Sequence, residues 1–226
     1  MRYRCLFVDH DDTAVDSTAT VHYPAHLEVM GRLRPAVRPV SLEDWLLKNF
    51  DPGLMVYLRG ELAMTESEIA EEARIWRNHL QRSRPRFFTG FVEILAQFRR
   101  RGGKIVVTTH SEADTVWRHY KTAGFSPDLV FGWTDVEERR KPHPWPVWEG
   151  LRRLGLGRNQ ALVLDDLKPG ILMARSAGVA SAGAGWCHRI PRIVSYMREH
   201  CDAYFETVDA FGRYLLGTGP AEEERT

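Results

Sequence analysis

Cysteine is scarce in this chain of 226 residues: Cys5, Cys187 and Cys201 are odd in number, widely spaced and form no C-x-x-C pair. That excludes a disulfide framework and a zinc knuckle, and fits a reducing compartment. An excess of one charge is also missing. Lys and Arg number 31 against 30 Asp and Glu, a formal net charge of +1, which removes the bulk electrostatic case for nucleic acid or an anionic membrane surface. No apolar run approaches the roughly 20 residues that span a bilayer. The opening MRYRCLFVDHDD has too few apolar residues before its acids to read as a signal peptide. The expectation is a cytoplasmic chain whose partner is a small molecule, with neither nucleic acid nor membrane involved. Monomer and homodimer both stay open, and no internal repeat is visible.

The length suits one ordinary domain with a large insertion, or two small domains. Short β-branched runs recur at Leu6 to Val8, Ile105 to Val107, Leu129 to Phe131 and Ala161 to Leu164. Most are separated by stretches of helical spacing: Phe91 to Arg101, Ala113 to Thr122, Pro146 to Leu154, Ile171 to Ser176 and Ile193 to His200. Such alternation predicts a parallel sheet covered by helices. Residues 18–86 break the pattern. They carry no β-branched run but have helical stretches at Pro24 to Leu33, Leu42 to Asn49 and Thr65 to Gln81, the last opening on a capping-box pattern of Thr65 and Glu68. This all-helical insert, residues 18–86 within an α/β core of residues 1–17 and 87–226, is expected over the carboxyl ends of the strands, where open parallel sheets bind ligands. The glycine-rich, then charged, tail at 217–226 has nothing to bury and reads as disordered.

Four segments carry chemistry. The first, Asp9-His10-Asp11-Asp12, follows a buried run, with Asp9 as the last strand residue and Asp11 two further on, both facing the crevice. Carboxylates so close repel each other unless one keeps a proton or a cation intervenes. Hard oxygen ligands favour magnesium, which takes few carboxylates and keeps waters for substrate oxygens. A metal-bound Asp can attack phosphorus while a second Asp protonates the leaving oxygen and later activates water. Asp12 and Asp16 fit a solvated turn or helix N-cap equally well. The second segment, Lys104 to Ser111, delivers strand-end hydroxyls that can hold a phosphate oxygen, although threonines are common in strands for packing alone. In the third, Arg139 to Pro144, Lys141 precedes prolines in a rigid loop and could neutralise phosphate and carboxylate together, or be an exposed basic residue; Arg139 and Arg140 read as solvated. The fourth, Ala161 to Asp166, is another apolar strand ending in paired acids. Repulsion among Asp9, Asp11, Asp165 and Asp166 would destabilise the fold unless a cation and Lys141 offset it.

In this order the segments resemble the motifs of the haloacid dehalogenase-like superfamily of aspartate-nucleophile phosphohydrolases. Asp9-His10-Asp11-Asp12-Thr13 matches its Asp-x-Asp-x-Thr, Lys141 to Pro144 its Lys-Pro-x-Pro, and Asp165-Asp166 ahead of Ala177-Gly178 its fourth motif. The insert resembles the helical cap of the β-phosphoglucomutase and phosphoglycolate phosphatase branch. The likeness implies an α/β, Rossmann-like parallel sheet with helices on both faces and an inserted all-helical cap. It implies a magnesium-dependent phosphate monoester hydrolase acting on a small phosphorylated metabolite through an aspartyl-phosphate. Asp9 would be the nucleophile and Asp11 the acid/base. Mg2+ would be held by Asp9, Asp11 through its backbone carbonyl, and Asp166, with Asp165 behind them. The second-motif hydroxyl would be Thr109, with Thr108 as the alternative, and Lys141 would complete the phosphate site.

Three positions depart from the family pattern. Asp12 stands where glycine is common, Gly170 where many members carry a further acid, and His110, expected to touch substrate, where Asn or a small residue is common. Asp11 argues against carbon–halogen chemistry, whose enzymes lack that acid. Lys48, the only lysine of the insert, has no neighbours that signal Schiff-base chemistry. Insert residues His22, Tyr23, His26, Lys48 and Asn49 are candidates to face the site, whereas Trp45, Phe50 and Trp76 read as core. Two alternatives share the motifs: a sugar phosphomutase, and a non-catalytic module that binds phosphoryl ligands.

Overall fold

The computed structural model describes residues 2–218, so the tail expected at 217–226 lies outside the described residues from 219 on. Two compact units divide the chain, one holding the residues up to Val15 and from Phe87 onward, the other Asp16–Arg86. The first strand, β1 (Cys5–Val8), is fully buried, as a continuous apolar run predicts for a central strand of a parallel sheet. Short strands β2 (Val15–Asp16) and β3 (Arg86–Phe87) lie at the two crossings and pair with each other.

The Asp16–Arg86 unit is helical. A π-turn over Thr18–His22 leads into α1 (Tyr23–Leu33), α2 (Leu42–Phe50), the short α3 (Leu54–Val56), a second π-turn over Tyr57–Glu61, and α4 (Glu66–Arg82). The sequence predicts three of these helices. It does not foresee the helical turns of Leu54–Glu61, where Gly53 and Gly60 lower the local propensity. Ser41 caps α2 through Asp44 N at 3.1 Å. The expected capping box opens α4, with Glu68 N donating to Thr65 Oγ1 at 3.3 Å and Thr65 N to Glu68 Oε2 at 2.8 Å. Val29, Trp45, Tyr57, Leu58, Met64 and Ile75 form the core of this unit.

In the other unit β4 (Lys104–Thr108), β5 (Leu129–Phe131), β6 (Ala161–Asp165), β7 (Ala180–Ala184) and β8 (Ala203–Phe205) join β1 in a parallel sheet of order β5-β4-β1-β6-β7-β8. Helices α5 (Phe91–Arg100), α6 (Ala113–Thr122), α7 (Trp145–Leu154), α8 (Lys168–Ala177), α9 (Pro191–His200) and α10 (Val208–Leu216) connect or follow the strands. Successive residues of β1 go to opposite faces. Leu6 and Val8 pack with Phe91 and Leu95 of α5, Tyr120 of α6 and Phe211 of α10. Cys5 and Phe7 pack with Val147 and Leu151 of α7 and Met173 and Ala174 of α8. Helices therefore cover both faces.

The sequence does not foresee β7, β8 or α10. Strand β7 reads Ala-Ser-Ala-Gly-Ala, without a β-branched residue, because Tyr204 of β8 lies against it: a Cβ on Gly183 would fall 2.6 Å from that ring. Gly212 breaks the apparent helical pattern of α10. It lets that helix approach α5, since a Cβ there would meet Ile94 Cδ1 at 2.6 Å. For the site, the decisive feature is the order β4-β1-β6, which sets three strand ends side by side where the sheet's connectivity reverses.

Candidate active site

Asp9 follows β1 directly, and its backbone N–H donates to Leu164 O of β6 at 2.9 Å, so the two strand ends are locked in register. Asp165 ends β6 and Asp166 follows it. The carboxylates of Asp9, Asp165 and Asp166 are all buried and each places one oxygen within 4.8 Å of the others. Lys141, only 7% exposed, reaches them from the loop before α7. Its Nζ donates to Asp9 Oδ1 and to Asp165 Oδ2, each at 2.7 Å. The reading of Lys141 as an exposed basic residue is thereby excluded. Arg140 also departs from expectation. It is not solvated but half-buried, its guanidinium 4.4 Å from the Trp133 ring centre and bonded to Thr134 O. Arg139 is exposed as predicted.

Burial dominates the electrostatics. It pushes the Asp9 carboxyl up to about 7, against the Lys141 cation and with the help of Asp166 and Asp11. Burial likewise pushes Asp165 up to about 6 despite Lys141, and Asp166 up to about 6 despite its bond to His188. Burial alone would favour neutral Lys141, but Asp165 and Asp9 outweigh it and hold the ammonium charged well above its ordinary range. One buried cation thus faces three buried carboxylates. With all three ionised, a single ammonium leaves an excess of negative charge among hard oxygen donors, which a divalent ion such as Mg2+ fits.

Asp11 lies on the β4 side of this cluster. Its Oδ2 accepts from Thr109 Oγ1 at 3.2 Å and from Ser111 Oγ at 2.6 Å, and Ser111 N donates back to Thr109 Oγ1 at 2.9 Å. Thr109 is therefore the hydroxyl brought to Asp11. Thr108, the last residue of β4, is buried with its Oγ1 unpartnered. Ser111 closes the hydroxyl-bearing segment read from the sequence, and the structure singles it out beside Thr109. His110 is exposed, and Nε2 donates to Lys141 O at 3.0 Å. Desolvation where the ring meets Lys141 O, then the Lys141 cation, lowers its pKa.

Two of the departures acquire a physical reason. Asp12 takes the left-handed conformation that glycine favours, φ 59°, with its N–H bonded to Val15 O at 2.7 Å, so the turn forms without glycine at a small conformational cost. Gly170 is required by Asp165: a Cβ at 170 would fall 2.0 Å from Asp165 Oδ2. Any side chain at residue 170 would therefore start inside the Asp165 carboxylate. Gly170→Ala is expected to displace that carboxylate from Lys141 and to cost about 1–3 kcal/mol of stability, which a urea unfolding series would measure.

The insert candidates are engaged within their own unit. His22 accepts from Trp76 Nε1 at 2.9 Å, Tyr23 donates to Val40 O at 2.8 Å and Asn49 to Trp45 O at 2.8 Å. Lys48 pairs with Glu61 at 2.6 Å. His26 is buried, its ring centre 4.1 Å from that of Trp45, and burial pushes its pKa down to about 4. Trp45 and Phe50 are buried, as core residues should be.

The family model of haloacid dehalogenase-like hydrolases matches residues 9–184. The chain belongs to that family. A pyrophosphatase, PpaX, of Bacillus pumilus is 32% identical over 97 residues, which are 42% of this chain and 44% of the relative; the chain thus matches less than half the length of this curated relative. A phosphoglycolate phosphatase of Xanthomonas campestris pv. campestris is 26% identical over 203 residues, 84% of this chain and 87% of the relative. Among solved structures, a haloacid dehalogenase-like family hydrolase from Streptococcus pneumoniae superposes with a TM-score of 0.74 at 18% identity, covering 95% of this chain and 99% of the other. A predicted phosphoglycolate phosphatase from Haemophilus somnus gives 0.70 at 20% identity, covering 97% and 99%. Both share the fold. No helix among the described residues is long and apolar enough to cross a membrane.

Proposed function

We propose that the protein is a phosphate monoester hydrolase of small phosphorylated metabolites. The observation that carries this reading is the buried set Asp9, Asp165, Asp166 and Lys141, with Asp11 two residues beyond the nucleophile position. Asp9 Oδ attacks phosphorus and the bond from phosphorus to the ester oxygen breaks, while Asp11 gives its proton to the departing alcohol. An aspartyl-phosphate on Asp9 results. Asp11, now a carboxylate, takes a proton from a water that attacks the same phosphorus; the bond to Asp9 breaks and inorganic phosphate leaves. Thr109 and Lys141 hold the equatorial oxygens through this sequence, aimed at charge that grows in the transition state. Asp9, the Asp11 carbonyl and Asp166 would hold Mg2+, which when bound supplies positive charge to the phosphoryl oxygens. Asp165 keeps Lys141 in place.

Residues 18–86, read as a cap, would close the site against water and select the alcohol. The relatives are named for phosphoglycolate and pyrophosphate, so those two substrates come first, beside an aryl phosphate. Magnesium-dependent release of inorganic phosphate from phosphoglycolate or the aryl phosphate is the expected result; release from pyrophosphate alone would replace the monoester reading by an anhydride hydrolase. No release from any would remove the hydrolase reading, and isomerisation of a sugar phosphate without free phosphate would replace it by the mutase.

A further inference from the structure

Asp166 is held from two sides, and only one of its partners belongs to a motif. Thr13 Oγ1 donates to Oδ1 at 3.2 Å; on the other oxygen, His188 Nε2 lies 3.1 Å from Oδ2. The histidine comes from the loop after β7, where the sequence shows no signal for it. That loop is built to deliver it. Gly185 lets the backbone pass over Tyr204, whose hydroxyl would lie 2.1 Å from a Cβ there. Trp186 then pins the loop: its indole Nε1 donates to Thr13 O at 3.0 Å, and its ring packs among Phe88, Phe91 and Phe211. Two residues on, the His188 side chain is 8% exposed, and Nδ1 is buried without a hydrogen-bond partner. Among the described residues the polar anchor of the ring is the Asp166 carboxylate, which accepts, so Nε2 carries the proton.

We propose that His188 is a positioning residue for the metal-binding carboxylate of Asp166, fixing its rotamer so that the ion meets an oriented ligand. The inference rests on the metal reading given above. Carboxylates that bind metals are themselves oriented by hydrogen bonds, and loss of such a partner typically weakens metal affinity 10–100-fold. Thr13 alone leaves the Asp166 carboxylate free to turn about the bond to its Oδ1.

The test is Mg2+ binding to the full chain by calorimetry, with no substrate present, so the readout is independent of turnover. His188→Ala is expected to raise the Mg2+ dissociation constant about 10-fold. His188→Gln, which keeps a donor at similar reach, should restore most of it, and His188→Leu, which fills the space without a donor, should not. A purely structural role would instead lower the unfolding midpoint in EDTA and leave affinity tracking side-chain volume, so that Leu rescued as well as Gln. That outcome, or wild-type affinity in all three variants, overturns the inference. Asp166→Asn separates the two levels. If it abolishes Mg2+ binding while His188→Ala leaves it unchanged, only the role of His188 is wrong; if it too binds like wild type, the metal site is wrong and the role of His188 goes with it.

Discussion

Asp9→Asn should lower phosphate release from an aryl phosphate by about 10⁴-fold or more, to the level of the uncatalysed background. The amide has no anionic oxygen to attack phosphorus, while its size and its Oδ1 acceptor for Lys141 are retained. Among the carboxylates of the cluster, Asp9 suits attack for a geometric reason. Asp165 has both oxygens committed, Oδ2 to Lys141 and Oδ1 to Leu167 N at 3.0 Å. Asp166 is held through both of its oxygens, by Thr13 and His188. Asp9 spends only Oδ1. The variant should also be more stable than the wild type in EDTA at pH 7.5, because it removes one buried charge from a cluster short of positive charge. Stability and activity moving in opposite directions would identify a functional carboxylate; a variant that kept even a tenth of wild-type turnover would exclude Asp9 as the nucleophile.

The parts of this site that were legible in the sequence are those written locally. A buried apolar run followed by Asp is visible at Val8-Asp9 and at Leu164-Asp165, and parallel pairing of β1 with β6 then brings the acids together. Lys141 was legible as a residue in a rigid loop, but its reach to Asp9 and Asp165 depends on a long-range closure that no local pattern encodes. His188 was not legible, and Ser111 only as the end of a segment bearing hydroxyls. Each acts through a loop whose position comes from packing elsewhere, Trp186 among phenylalanines for one and the Thr109 turn for the other. In the fold, the apolar strands were readable, whereas β7 and α10 were hidden by Gly183 and Gly212, small residues selected for close approach rather than for propensity. Gly170 joins these cases. Read as a missing acid, it is instead the space into which Asp165 projects.

Lys141→Met tests the same charge deficit from the other side. The substitution conserves the long unbranched side chain but removes the ammonium that, among the described residues, is bonded to Asp9 and Asp165. Breaking a buried pair by deleting one partner costs about 3–5 kcal/mol, and that loss is expected in EDTA above pH 7. The pH dependence has a definite sign. Asp9 is raised to about 7, and Asp165 and Asp166 to about 6, from roughly 4 in the unfolded chain. Between those limits the three carboxyls bind more protons in the folded state than in the unfolded one, so their contribution to the stability of the metal-free wild type is highest at the acid end and falls as pH rises through 6 and 7. Without Lys141 the three carboxyls hold their protons to still higher pH. The fall becomes longer, and the gap between variant and wild type widens from pH 5 to pH 8. On the proposed reading Mg2+ binds the folded state, and it should narrow that gap at pH 8, where the carboxylates are ionised, more than at pH 5. Urea unfolding midpoints at the two pH values, with and without Mg2+, give the comparison; a difference between variant and wild type that is the same at both would mean that Lys141 is not neutralising these carboxylates.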